Sequence, residues 1–121
     1  MKNFLIIIST AIVLIAFGCK KEGFNADSPY FYPNSFTPNG DGMNDKWWPI
    51  ANWSEINLSS YSMKIFTKKD KLLFETSDWK IGWDGKAKGE NCPEDYYYYV
   101  VKFESIDEVK YKDVGMFQLI R

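Results

Sequence analysis

The sequence predicts an all-β domain, an antiparallel β-sandwich, from three observations. Short segments rich in aromatic and β-branched residues follow one another along the chain, and turn residues separate them. No amphipathic pattern of helical length appears after the first eighteen residues. The chain of 121 residues is long enough for one hydrophobic core and too short for two, so we expect a single domain.

The first eighteen residues have the organisation of an export signal. Lys2 supplies a positive charge, an apolar run extends from Phe4 to Phe17, and Gly18 precedes Cys19. The run is too short to cross a bilayer, which needs roughly 20 apolar residues. We therefore predict a signal peptide over residues 1–18 and a lipidated cysteine with a linker over residues 19–32.

Cys19 is the candidate for lipidation. The segment "LIAFGC", which ends at Cys19, resembles the lipobox of bacterial lipoproteins, although Ala16 stands where leucine is usual. The resemblance implies that Cys19 carries acyl chains after cleavage, and several chains together anchor a protein stably, at about 0.8 kcal/mol for each buried methylene. The membrane is then one partner of the protein. An ordinary secretory signal cut nearby is the alternative.

Charge and reactive side chains argue against several functions. The chain has 15 basic and 16 acidic residues and a formal net charge of −1. Because basic residues are not in excess, the charge does not favour nucleic-acid binding. Cys92 has no disulfide partner once Cys19 is lipidated, and no histidine is present to activate its thiol. No two carboxylates have a spacing that points to glycoside hydrolysis. We predict that the protein is not an enzyme and has no cofactor.

The predicted strands are taken from composition and from a period of two. Four segments qualify: Ser62–Thr67, Lys71–Thr76, Tyr96–Glu104 and Gly115–Ile120. In the third segment, side chains on alternate residues are all apolar and are predicted to face the core: Tyr97, Tyr99, Val101 and Phe103. Phe117 and Leu119 of the last segment are predicted to join them.

The segment "FTPNGDGMNDKWW", which begins at Phe36, first suggests a calcium loop. Its alternating oxygen-bearing residues followed by Gly42 imitate the first half of an EF-hand loop. If Gly42 is the sixth position, however, the twelfth is Trp48, where such a loop requires glutamate. A weak calcium site formed by Asn39, Asp41 and Asp45 is one hypothesis for this segment.

The other hypothesis for this segment is a turn that needs no ion. Asn-Gly and Asp-Gly pairs both favour positive φ, so Gly40, Gly42 and Asn44 are candidates for a hydrogen-bonded double turn capped by neighbouring Asn and Asp side chains. Trp83, Asp84 and Gly85 form a second predicted turn, in which Trp83 is a packing anchor rather than a sugar platform.

Four motifs in order carry a family resemblance. They are "PNSFTPNGDGMNDKWWP", "KIFTKKDKLLFE", "WDGKAKGENCPEDYYYYVV" and the closing "GMFQLIR". Together they resemble the gliding motility-associated C-terminal domain, the type B sorting domain of type IX secretion in Bacteroidota. The resemblance extends from Pro33 to Arg121, so residues 33–121 are the predicted domain, and it implies an immunoglobulin-like sandwich.

The chain departs from the family pattern at two places, the hairpin turn and the start of the tyrosine run. Residues 67–70 read Thr-Lys-Lys-Asp where the family usually has Asn-Arg-Trp-Gly, and Asp95 replaces the usual glycine before the tyrosine run. Asp tolerates the left-handed backbone region better than most residues do.

The resemblance implies a non-enzymatic sorting or interaction domain linked to type IX secretion or gliding motility. On a lipoprotein, we expect it at the outer membrane, exposed on the surface, with envelope or secretion-system proteins as partners. An unpaired sheet edge could accept a partner strand, although the charges of Lys110, Lys112 and Asp113 before the last predicted strand could equally protect it. The alternative is a surface carbohydrate-binding module, because 18% of residues are aromatic and four tryptophans lie in or near turns: Trp47, Trp48, Trp53 and Trp79.

Overall fold

The computed structural model describes residues 28–121. The predicted signal peptide, Cys19 and most of the predicted linker lie outside the described residues. Within residues 28–121, no helix is long and apolar enough to cross a membrane. The regular secondary structure of the described chain is almost entirely β-strand, with one 3-10 helix of three residues, which confirms the predicted all-β class.

Nine strands and one short 3-10 helix follow one another along the described chain. The strands are β1 (Tyr30–Phe31), β2 (Ser35–Phe36), β3 (Ile50–Ala51), β4 (Ile56–Phe66), β5 (Leu72–Thr76), β6 (Lys86–Ala87), β7 (Glu90–Asn91), β8 (Asp95–Ser105) and β9 (Lys110–Leu119), and the 3-10 helix is Trp53–Glu55. One sheet holds five strands in the order β2-β9-β8-β4-β5, and two ribbons pair β1 with β3 and β6 with β7. The long strands β4, β8 and β9 form the centre of the five-stranded sheet.

The face of the sheet that points to the core is set by the alternation of β8. Tyr97, Tyr99, Val101 and Phe103 are all buried, as the period of two predicts. The neighbouring strands add buried residues to the same face, namely Tyr61, Met63 and Ile65 of β4 and Phe117 and Leu119 of β9. The predicted core is therefore confirmed.

The second layer of the sandwich is smaller and is made mostly of aromatic side chains. Trp47 and Trp83 form an isolated bridge between their backbones and are both completely buried. Trp47 stacks on Phe117 at 4.2 Å between ring centroids, and Tyr30 of β1 lies 4.2 Å from Phe103. Large rings supply the apolar area that a full second sheet would otherwise provide.

The last strand differs from its prediction because it begins at Lys110, five residues early. Lys110, Lys112 and Asp113 therefore lie within β9 rather than before it. Asp113 points inward and is buried, where its carboxylate accepts hydrogen bonds from the hydroxyls of Ser28 and Tyr32. The sequence pattern missed this because a buried acid is stable only with such partners, and these come from a segment more than eighty residues away.

β4 also begins earlier than predicted, at Ile56, with an irregularity in its pairing with β8 between Asn57 and Ser62.

β2 runs parallel to β9, so one short pair departs from the antiparallel arrangement of the rest of the sheet. Pro33 precedes this short strand and has no N–H to donate. The chain before it belongs to the second layer, where Tyr32 stacks on Tyr99.

Candidate functional site

All four sequence motifs meet at one end of the domain, which we call the motif end. It consists of residues 36–47, the hairpin turn 67–71, the loop 83–95 and the closing residues 119–121. These segments flank the strand ends that meet there, since β9 finishes at Leu119 opposite Asp95, the first residue of β8. The sheet topology therefore brings together motifs that are far apart in sequence.

The first segment is a turn built around the carboxylate of Asp45. Its oxygens accept hydrogen bonds from the backbone N–H groups of Asn39, Gly40 and Gly42, at 3.1, 2.9 and 2.7 Å. Gly40 and Gly42 have φ of +83° and +84°, and Asn44 has φ of +53°. These positive values direct the amide groups toward one point, and glycine adopts them without steric cost.

The pKa of Asp45 reflects this arrangement. Partial desolvation alone would raise the pKa, but the hydrogen bonds from Gly42, Gly40 and Asn39 outweigh it and hold the pKa below its usual range. The charged form is therefore the one that the turn stabilises.

The oxygens considered for calcium have backbone partners in this turn. Asn39 Oδ1 accepts from the N–H of Asp41, Asp41 Oδ1 accepts from the N–H of Met43, and both Asp45 oxygens accept as described. The backbone N–H groups thus occupy the side on which these oxygens would face a cation, and they act as partners of the Asp45 charge. Over residues 28–121, no three His, Cys, Asp or Glu side chains are grouped to hold a metal.

Trp83, Asp84 and Gly85 form the second turn. Trp83 exchanges two backbone hydrogen bonds of 2.9 Å with Trp47, and its indole N–H donates to the carbonyl of Lys86. The Asp84 carboxylate accepts from the backbone N–H of Lys86. Gly85 has φ of +80°, and a Cβ there would lie 3.0 Å from Pro38 Cγ, so the turn requires glycine for conformation and for space.

Arg121 ties the two turns together, which the sequence did not predict. One guanidinium nitrogen donates to the carbonyl of Pro38 at 2.9 Å, and the other donates to the carbonyls of Gly85 at 3.0 Å and Cys92 at 2.9 Å. Because the guanidinium donors have a fixed planar geometry, this contact sets the spacing of three chain segments. The only signal in the sequence is the position of an arginine next to the last core residues.

The two departures from the family pattern contact each other. Lys68 in the hairpin turn and Asp95 at the start of β8 form an ion pair of 2.8 Å. The hydrogen bond from Lys68, helped by the Tyr96 N–H, lowers the pKa of Asp95, and the same ion pair raises the pKa of Lys68. Both side chains are about half exposed, so the pair adds little to stability but links two strand ends.

The tryptophans lie in the core or pack against it. Among residues 28–121, which include all five, Trp47 and Trp83 are buried and none of the others is fully exposed. Trp53 and Trp79 pack against each other at 5.0 Å between ring centroids. These rings close the core, and no observation here favours the carbohydrate-binding alternative.

The groups that could suggest catalysis are held in structural contacts. Cys92 is buried, and this desolvation raises the pKa of its thiol, which disfavours the nucleophilic thiolate. Its carbonyl and N–H are used by Arg121 and Gly85. The arrangement at the motif end therefore fixes the shape of a surface and offers no activated nucleophile.

The chain matches the model of a known protein family. The family model described as CHU_C Type IX secretion signal domain matches residues 30–119, which covers β1 to β9. No match was found among curated proteins.

Proposed function

The chain belongs to the type IX secretion signal domain family, and on that premise we propose that it is a lipid-anchored cell-envelope protein whose single immunoglobulin-like domain acts by binding other proteins. The observation that carries this proposal is the family match over residues 30–119, almost the whole described chain. Its partners are components of type IX secretion or gliding motility, or other envelope proteins, and its place is the outer membrane with the domain exposed on the surface.

The motif end supports a binding role rather than a catalytic one. Its side chains hold backbone segments in place through hydrogen bonds from Arg121 and to Asp45. A rigid surface of this kind suits recognition, because little conformational entropy is lost when a partner binds. Fold alone does not specify function, so the family match and this geometry together carry the argument.

The lipid anchor is supported by the sequence that precedes the described residues. The apolar run up to Phe17, followed by Gly18 and Cys19, has the composition of a lipoprotein signal. Lys20 and Lys21 then provide a charged tether before the domain. With its acyl chains in the bilayer, Cys19 would keep the domain close to the membrane on which its partners lie.

Surface delivery in a Bacteroidota host tests the secretion role. The full chain is produced in two strains, one with a working type IX translocon and one without, and intact cells are treated with protease. We expect digestion of the domain only in the first strain. Equal digestion in both strains, or protection in both, would contradict a role in type IX delivery to the surface.

Membrane fractionation tests the anchor separately. Cys19→Ser should move the chain from the membrane fraction to the soluble fraction, because the acylated sulfur is lost. Cys92→Ser is the matched control, since it makes the same substitution at a buried cysteine of the domain. Retention of the Cys19→Ser chain in the membrane would show that lipidation at this position is not what anchors the protein.

A further inference from the structure

One edge of the five-stranded sheet is open along most of β9. β2 covers only the last residues of this edge, where the N–H groups of Gln118 and Ile120 donate to the carbonyls of Asn34 and Phe36. The pairing of β8 with β9 is regular from Lys110 to Leu119. Successive residues of β9 therefore direct their N–H and carbonyl groups alternately toward β8 and away from it. The N–H and carbonyl groups of Lys112, Val114 and Met116 therefore point to the same side as those of Gln118.

No strand of the described chain lies beside that part of the edge. In the sheet order β9 has β8 on one side and only β2 on the other, and β2 is two residues long. Within residues 28–121, no hydrogen bond from a loop or side chain reaches the backbone groups of Lys112, Val114 or Met116. Unpaired edge groups of this kind are a template for another strand.

The side chains along the edge have a polarity that changes from one end to the other. Val114 and Met116 are 48% and 45% exposed on the outer face of the sheet, beside Val100 and Tyr98 of β8. This apolar half lies next to the part of the edge that β2 already covers. An exposed apolar patch that continues an open edge is a feature of binding surfaces.

The other half of the edge is basic. Lys112 lies directly opposite Lys102 in the register of β8 and β9, and Lys110 lies one pair further along, opposite Glu104. Like charges directly opposite each other on one face destabilise a sheet. Among the residues that the structure describes, the one ion pair is formed elsewhere, by Lys68 and Asp95, so neither Lys102 nor Lys112 has a carboxylate partner.

We propose that the edge of β9 from Lys110 to Met116 binds an extended strand of a partner protein, with acidic side chains opposite Lys110 and Lys112 and apolar side chains opposite Val114 and Met116. The partner backbone completes the hydrogen bonding of the edge, and its carboxylates neutralise the Lys102 and Lys112 pair. This inference deepens the proposed function and rests on it in one respect, that the domain acts by binding another envelope protein.

A second copy of the chain fits this edge less well than an acidic partner does. The outer-face residues of the edge are Lys110, Lys112, Val114 and Met116, none of which is acidic. Two such edges paired in antiparallel order would bring no carboxylate to either lysine pair. Charge complementarity therefore favours a different protein.

Hydrogen exchange of the isotope-labelled full chain in detergent micelles tests the proposal with defined probes. The probes are two capped heptapeptides, VTVTETE for antiparallel and ETETVTV for parallel pairing, and VTVTKTK as a charge control. With the matching peptide at about ten times its Kd, exchange of the Lys112, Val114 and Met116 amides should slow roughly tenfold. The amides of Tyr111, Asp113 and Gly115 face β8 and should not change.

Two variants locate the binding to this edge. Val114→Pro removes one outward N–H without touching the bonds to β8, and it should abolish the slowing at neighbouring edge amides. The double change Lys110→Glu with Lys112→Glu should weaken the glutamate peptide at least tenfold and make VTVTKTK the better ligand. Lys80→Glu, at an exposed lysine outside both the edge and the motif end, is the control and should leave binding unchanged.

Several results would overturn the proposal. They are no slowing with either glutamate peptide at millimolar concentration, equal slowing with VTVTKTK, and slowing that the double charge reversal does not affect. Edge amides that are already protected without peptide would assign the edge to the chain itself, or to a second copy if sedimentation shows a dimer.

This test is separate from surface delivery. A chain that binds peptide but is not delivered would contradict the secretion role and support the edge site, and the reverse result would contradict only the edge site.

Discussion

The turn from Thr37 to Asp45 and the edge of β9 from Lys110 to Met116 are both exposed stretches of backbone, but they differ in how their N–H groups are used. In the turn, three N–H groups donate to Asp45 and two more donate to Asn39 and Asp41. Along the edge, alternate N–H groups have no partner in the described chain. The turn thus uses its polar groups to fix its own shape, while the edge leaves them for another molecule. Substitutions at the motif end should change folding stability, and substitutions at the edge should change binding.

The largest expected contrast compares a buried ring at the motif end with an exposed side chain on β9. Trp83→Ala should lower the free energy of unfolding by about 3–5 kcal/mol, because it empties a completely buried site and removes the indole bond to Lys86. Met116→Ala should cost less than about 1 kcal/mol, since the side chain is half exposed. Urea unfolding of both variants measures the difference, and equal losses would abolish the contrast between the two regions.

A smaller effect is expected at the positive φ of the turn. Gly42→Val should destabilise the domain by roughly 1–3 kcal/mol, because a β-branched residue strongly disfavours a φ of +84°. Met43→Val introduces the same side chain at the adjacent exposed position and is the control. If thermal unfolding shows no difference between the two variants, the left-handed conformation of Gly42 is wrong.

The dependence of folding stability on acid pH tests whether the turn stabilises the charged form of Asp45. Its folded-state pKa is below its unfolded value of about 3.9, so its contribution to stability is present above that value and is lost as pH falls through the folded pKa. Asp45→Asn should therefore flatten the decline of the melting temperature below about pH 4. Asp41→Asn leaves the Asp45 carboxylate in place, so the melting temperature of this variant should still decline below about pH 4. An unchanged acid profile in Asp45→Asn would mean that these hydrogen bonds do not stabilise the charged form.

The smallest effect is expected from calcium. Because the oxygens of Asn39, Asp41 and Asp45 accept from backbone N–H groups, we expect millimolar calcium and chelator to leave the melting temperature unchanged. A ligand at one hundred times its Kd would add about 2.7 kcal/mol, which is readily measured. A rise with calcium that Asp45→Asn removes would show that the turn opens to bind the ion.

The regular parts of the fold were predictable because they depend on local alternation. In β8, every second residue from Tyr97 to Phe103 is apolar, and that period is enough to assign both a strand and its buried face. The same reasoning failed at the start of β9, where Lys110, Lys112 and Asp113 hide the pattern. Asp113 could be placed inside only by knowing that the hydroxyls of Ser28 and Tyr32 meet it.

The candidate site was predictable as separate turns but not as an assembly. The Asn-Gly and Asp-Gly pairs point to Gly40 and Gly42 as turn residues by their backbone preference alone. Nothing local indicates that Arg121 would bind the carbonyls of Pro38, Gly85 and Cys92, or that Lys68 would pair with Asp95. These contacts join residues distant in the chain, so they exist only once the sheet has aligned its strand ends.

The all-β class, the inward-facing residues of β8 and the glycine-bearing turns follow from the amino-acid sequence, because each depends on backbone preference or on a period of two within a few residues. Three other features arise only in the folded chain: the meeting of the motifs at one end, the burial of Asp113, and the open edge of β9 beside the Lys102 and Lys112 pair. Strand order and register are fixed by contacts between segments that are distant in the sequence. An open edge can therefore be recognised only when the order of all the strands in the sheet is known.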